Sequence, residues 1–261
     1  MSESTLSVTK SELMRYCGRE LGYGRDTSRW DERQATDAED VLASALRQFY
    51  GPPVLPGEAV AHRWSFLRPI FTISTETGVG DYDLPDDFGG IDGRLFYGNE
   101  LVGNGPMVRV GEQWILNCRQ GNDGITGYPT HYAVSSGHSS GDEPQRFTLM
   151  LEPIPDATYL LTGQYRVNPF QITDLKPYPL GGQPHAETLV ASVIAAAHKF
   201  LRDEYQGGAY AEFIDRLRSS VTHDRQESHR NLGYAYDTRS QSMPYTQSRA
   251  LLVTYEGDTP S

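Results

Sequence analysis

The sequence is poor in cysteine, in long apolar runs and in positive charge. Its two cysteines, Cys17 and Cys118, lie far apart in 261 residues. They make no CxxC pair, no metal knuckle and no disulfide framework, and a reducing compartment, or an assembly built in one, is expected. The longest apolar-rich run, Leu189 to Ala197, is broken by Ser192 and falls well short of the ~20 residues a membrane helix needs. Met1 to Lys10 is polar, so no signal peptide is read. Lys and Arg number 23 against 34 Asp and Glu, a net charge of −11. That balance argues against a protein that grips nucleic acid through clustered cations. It leaves open a protein past which nucleic acid slides.

Also missing are a P-loop, a strand-linked G-x-G-x-x-G and any H-x-x-x-H or H-E-x-x-H pair, which excludes the common nucleotide and zinc sites. The seven histidines are scattered and none has a visible partner in sequence. What is present is turn-forming: 26 Gly and 16 Pro, with hydrophobic residues at 38%. The composition suits a globular core with many turns and some long polar segments, as one large domain or two modest ones.

The N-terminal part reads as helical. Thr9 to Glu12 fits a capping box, Leu13, Cys17 and Leu21 follow at four-residue spacing, and Gly22 and Gly24 stop the helix. Arg25 to Ala35 reads as a charged linker, and Thr36 to Glu39 as a second capping box. Ala38, Val41, Leu42, Ala45, Leu46 and Phe49 then trace an amphipathic helix ended by Gly51-Pro52-Pro53. Beyond Pro177 the helical period returns. Leu189, Val193, Ala197 and Leu201 form a stripe widened by Val190, Ile194 and Phe200, and Tyr210, Phe213, Ile214, Leu217 and Val221 form another.

Between Ala61 and Asp174 the period shortens to two. Phe71-Ile73-Thr75, Phe147-Leu149-Leu151 and Tyr159-Leu161-Tyr165-Val167 alternate with polar residues. His62–Leu67, Leu95–Tyr97, Met107–Val110, Gln113–Cys118 and Thr130–Ser135 are shorter strand candidates. Turn clusters separate them, including Gly103 to Gly105 and Asn122 to Gly124, and no helical segment is evident between the strands. The expected class is α+β: N- and C-terminal helices (1–60 and 178–225) forming a bundle, an inserted antiparallel β-sandwich or barrel-like domain (61–177), and an extended C-terminal arm (226–261).

Motifs that carry chemistry are weak. Gly137 to Gly141 matches G-x-S-x-G with Ser139 as nucleophile, but a new strand rather than a helix follows. Ser7 to Lys10 matches S-x-x-K without its partner boxes. Asp81, Asp83, Asp86 and Asp87 cluster, but Pro85 and Asp86 stand where a calcium loop wants a carboxylate and a glycine. No catalytic residue, cofactor or metal is expected.

A series of ordered pieces is more telling. Trp64 to Leu67 is followed by Tyr82-Asp83-Leu84-Pro85-Asp86-Asp87-Phe88-Gly89 and a strand from Gly93 to Tyr97. Then come Gly127-Tyr128-Pro129-Thr130-His131-Tyr132 and Leu149 to Ala157, with Pro153, Pro155 and Asp156 expected to form a rigid hairpin. Over roughly residues 10–225 this series resembles neck proteins of tailed bacteriophages, the head-to-tail connectors or adaptors. The resemblance implies a structural virion protein and not an enzyme: a homo-oligomeric ring, commonly of twelve copies, docked beneath the portal and joined to a tail or to a stopper or terminator protein. It would sit in the neck of the virion after assembly in the host bacterial cytoplasm, passing double-stranded DNA without specific binding and touching no membrane. Two other readings share these pieces: a tail terminator, tail tube or tail-hub component, separable by copy number, and a binding module using exposed aromatics such as Trp114 or Tyr128. Tyr234, Tyr236 and Tyr245, with the apolar island Leu251, Leu252 and Val253, are candidate interface residues, because tyrosine is enriched at interfaces and an extended segment can add to a neighbour's sheet edge.

Overall fold

The computed structural model describes residues 4–98, 105–121, 125–137, 145–202 and 207–228. Helix α1 (Lys10–Glu20) begins at the expected box: the Glu12 amide donates to Thr9 Oγ1 at 3.3 Å and the Thr9 amide to Glu12 Oε2 at 2.9 Å. Leu13, Cys17 and Leu21 are buried. The chain reverses through Gly22 and Gly24, at φ 77° and 86°, where a side chain would be strained. Gly18 is demanded for a different reason: an added Cβ would lie 2.1 Å from the Trp30 ring and 2.4 Å from the Gly24 carbonyl oxygen.

Helix α2 (Glu32–Tyr50) starts earlier than expected, within the stretch read as a linker. Its cap is Asp31, whose carboxylate accepts from the Gln34 amide at 2.7 Å while the Gln34 side chain accepts from the Asp31 amide at 3.1 Å. Thr36 is inside the helix and its hydroxyl donates to the Glu32 carbonyl at 2.8 Å. Two boxes compete in this sequence, and the upstream one wins because it adds a turn of backbone hydrogen bonds. The predicted stripe from Ala38 to Phe49 is buried throughout.

The middle of the chain holds β1 (Ile70–Ser74), β2 (Asp81–Asp83), β3 (Phe88–Tyr97), β4 (Val108–Arg109), helix α3 (Glu112–Gly121), β5 (Thr126–Gly127), β6 (His131–Ser136), β7 (Phe147–Glu152), β8 (Ile154–Pro155) and β9 (Leu160–Val167). One sheet is antiparallel in the order β1-β9-β3. The second is ordered β2-β7-β6-β4, antiparallel except that β4 and β6 run parallel, and β5 and β8 form a short parallel pair. Among the described residues these sheets do not close into a barrel.

Three expectations fail here. Gln113–Cys118 is helix α3 and not a strand, because the run Trp114-Ile115-Leu116 has no period that separates the two; Ile115 alone of the three is buried. There is accordingly a helical segment among the strands, and it makes the crossover that lets β6 lie parallel to β4. His62–Leu67 is not a strand: it runs irregularly into a single tight turn at Ser65–Leu67. The expected hairpin at Pro153 to Asp156 is instead a passage between sheets, since β7 pairs with β2 and β6 while β9 pairs with β1 and β3.

Helix α4 (Ala186–Arg202) and helix α5 (Gly208–Ser228) complete the fold. Helix α4 packs against α1, α2 and α5. Ala195, Ala196 and Ala197 let neighbouring backbones approach, and Ser192 Oγ donates to the Ala45 carbonyl of α2 at 2.8 Å. Between α4 and α5 the hydroxyls of Thr188 and Ser220 lie 2.6 Å apart. The predicted α4 stripe is buried only as far as Ala197; Phe200 and Leu201 are exposed. On α5, Phe213, Leu217 and Val221 are buried as expected. One buried cluster runs from these helices through Trp64 and Leu67 into both sheets, which meet where the Phe88 and Phe147 rings lie 5.4 Å apart. A small second cluster, Ile115, Ala133 and Met150, sits under α3.

Candidate functional site

The candidate interface residues Tyr234, Tyr236, Tyr245, Leu251, Leu252 and Val253 lie outside the described residues, as do His138, Ser139, Ser140 and Gly141. The acidic cluster is described and is divided among separate duties. Asp81 accepts from Arg119 at 2.8 Å and Asp86 from Arg146 at 2.8 Å. Asp87 accepts from the Tyr165 hydroxyl at 3.0 Å; burial, with this carboxylate second, pushes the Tyr165 phenol up to about 12. Tyr82 closes the turn before its strand, accepting from the Glu76 amide at 2.9 Å and donating to the Val79 carbonyl at 2.7 Å. No group of acids or histidines among the described residues converges as a metal site would.

A large cleft lies elsewhere among the described residues. It has a volume of about 1000 Å³ and opens where the helices meet the first sheet. The end of α2 forms one wall, the approach from Val60 to Arg68 another, and the exit of β9 toward Phe170 a third. Trp64, on the cleft wall, is fixed from several sides. Its indole Nε1 donates to the Phe49 carbonyl at 2.8 Å, and its ring stacks on Phe49 and Phe66 at 4.9 and 5.3 Å. His62 and His185 meet it edge-on at 4.9 and 5.0 Å.

Beside Trp64 lies a buried carboxylate, Asp224 of α5. It accepts from the Ser65 amide at 3.1 Å and the Ser65 hydroxyl at 2.5 Å, and His62 Nε2 approaches it at 2.7 Å. Burial opposes its ionisation, but the hydrogen bonds from Ser65 and His62 together prevail and hold its carboxyl below the ordinary value of 3.8. These bonds fasten the end of the last described helix to the segment that leads into the first sheet. Sequence reading gave the histidines no partner; the structure gives Asp224 to His62 and, at 3.2 Å, Glu20 to His198. Nothing in sequence joins positions so far apart.

The charge of the cleft also escapes sequence reading. Arg47, Arg63, Arg68, Arg166 and Arg225 line it, against one acid, Asp92. Asp92 pairs with Arg68 at 3.5 Å, and Glu58 takes Arg225 at 2.7 Å. Arg166 donates to the Gly89 carbonyl. Within a chain of net charge −11, this is a local reversal of sign, built from arginines brought together by the fold. Trp114 and Tyr128, the exposed aromatics of the binding-module reading, do not line the cleft: Trp114 lies against His131 with ring centres 4.6 Å apart, and Tyr128 packs beside Tyr97 at 5.9 Å.

Fold and site define an α+β protein in which four packed helices carry two small sheets, joined by a buried carboxylate and an aromatic stack, with a basic cleft at the joint. The sequence matches the SU10 adaptor protein family over residues 8–238, most of the chain, and the protein belongs to that family of phage adaptors. The match spans every described helix and strand and runs past Tyr234 and Tyr236, farther than the motif series near residue 225. No curated protein matches the chain.

Proposed function

We propose that this protein is the head-to-tail adaptor of a phage particle, assembling as a dodecameric ring beneath the portal and joining it to the tail or to a stopper or terminator protein. The observation that carries the reading is the family match across helices and sheets alike. The protein's contribution is shape and contact rather than a catalytic step. Closing a ring needs two unlike faces on each copy, one meeting the other on its neighbour. The helices, drawn from both ends of the chain, act as one module and the β insertion as another, so the two modules can address different partners. Tyr234, Tyr236, Tyr245 and the Leu251–Val253 island contribute contacts between copies or to the portal.

The acidic balance suits a ring that forms part of the DNA channel. Away from the arginine-lined cleft, a wall short of clustered cations does not hold phosphates, so packaged DNA passes during ejection. Two measurements test this. Native mass spectrometry of the protein bound to its portal gives the copy number: twelve is expected, and six would favour a tail terminator. A gel shift with duplex DNA at moderate salt is expected to show no binding; tight, salt-sensitive binding would defeat the channel reading.

A further inference from the structure

The basic cleft asks for an occupant. Its cations Arg47, Arg63 and Arg166 meet no carboxylate within ion-pair distance among the described residues, and Arg47 and Arg63 are exposed. Its apolar members include Val60 and Phe170, which are 73% and 64% exposed. A cleft that combines free guanidinium groups with exposed aliphatic and aromatic side chains suits a peptide that carries both apolar residues and carboxylates.

The chain contains such a peptide. Between residue 229 and residue 261, the run Leu251-Leu252-Val253-Thr254-Tyr255-Glu256-Gly257-Asp258 is the place where consecutive aliphatics and carboxylates occur together, and it holds no cation. The described part of α5 ends at Ser228, three residues after Arg225, which itself lines the cleft. The run is therefore tethered close to the cleft mouth. A linker the length of residues 229–250 reaches ~25 Å by coil statistics, and such a tether supplies a millimolar effective concentration.

We propose that in the free protein the segment Leu251–Asp258 docks in the arginine-lined cleft of its own chain, with its apolar residues against Val60 and Phe170 and its carboxylates toward Arg47 and Arg63. The contact stands independently of the ring. It withholds from other chains an apolar island that would otherwise be open to premature association.

Hydrogen exchange on the full chain tests it. The amides of Leu252 to Glu256 are expected to exchange at least ~10-fold more slowly than an unstructured reference. That protection disappears in Arg47→Glu/Arg63→Glu, disappears in Glu256→Lys/Asp258→Lys, weakens as salt is raised, and returns in part when the two pairs of changes are combined. The substituted arginines are surface residues; should their variant lose its native far-ultraviolet spectrum, the variant of Glu256 and Asp258 probes the same contact from the other side. Exchange at coil rates in the unaltered chain would overturn the proposal. Protection indifferent to both pairs of substitutions would place the segment elsewhere and overturn it too. Protection that rises with protein concentration would assign the segment to a second copy and overturn the intramolecular contact.

Discussion

The helices meet one another differently from the way they meet the sheets. In the buried centre of the helical part, the polar contacts are small and neutral: the Ser192 hydroxyl on the Ala45 carbonyl and the Thr188–Ser220 hydroxyl pair, beside the buried alanines of α4. The charged contacts Glu20–His198 and Lys10–Glu39 lie at its partly exposed edge. At the joint with the first sheet, contacts are large or charged: the Trp64 stack and the carboxylate of Asp224. The first kind is additive and spreads over many residues. The second concentrates stability in a few groups, one of which titrates. The joint is therefore where a single substitution or a change of pH is expected to act most strongly.

The largest effect is expected from Trp64→Ala. It empties a buried site and orphans the Phe49 carbonyl, costing ~3–5 kcal/mol in chemical unfolding; a loss under 1 kcal/mol would show that the joint does not depend on the stack. Next is Asp224→Ala, which leaves the half-buried Ser65 amide and hydroxyl and His62 without their acceptor and is expected to cost ~2–3 kcal/mol. Ser192→Ala, its counterpart among the helices, is expected to cost ~1 kcal/mol, since it removes one neutral hydrogen bond. An equal loss from Asp224→Ala and Ser192→Ala would erase the contrast. At the N-terminal end, Thr9→Ala removes the cap of α1 and is expected to cost ~1 kcal/mol or less.

Acid sharpens the same contrast. The folded-state carboxyl of Asp224 titrates below its ordinary value of 3.8. Its contribution is thus complete above the unfolded value and is lost as pH falls through the depressed folded value. Unfolding measured from pH 6 downward is expected to show the native chain losing stability below about pH 4, with a shallower slope in Asp224→Asn. Identical slopes would mean that other carboxylates carry the whole acid response.

The same contrast explains what could be read from the sequence. The α2 stripe and the buried faces of α1 and α5 are local patterns, and each was legible from spacing of three and four. The α1 capping box was legible as well, whereas at α2 a second matching box at Thr36 masked the real start at Asp31. The long alternating strands β7 and β9 were visible, but their pairing was not, because proximity in sequence suggested a hairpin that the fold divides between two sheets. Helix α3 resembles a strand in sequence because three consecutive apolar residues, Trp114 to Leu116, carry no period. The site itself was out of reach. Asp224 meets Ser65 and His62, and Arg47, Arg63 and Arg166 meet one another's fields, only after residues more than a hundred positions apart are brought together. The family resemblance was carried by turn and strand-end motifs such as Leu84-Pro85-Asp86-Asp87-Phe88, in which Leu84 and Phe88 are buried anchors.

On the proposed function, this phage adaptor stands in the neck of the particle as a ring. Electron microscopy of the native virion, at a resolution that traces this chain, tests it most directly. The account predicts twelve copies beneath the portal, with the helices and the sheets turned toward different partners around the DNA channel. Absence of the chain from the neck, or its presence only in a distal part of the tail, would contradict it.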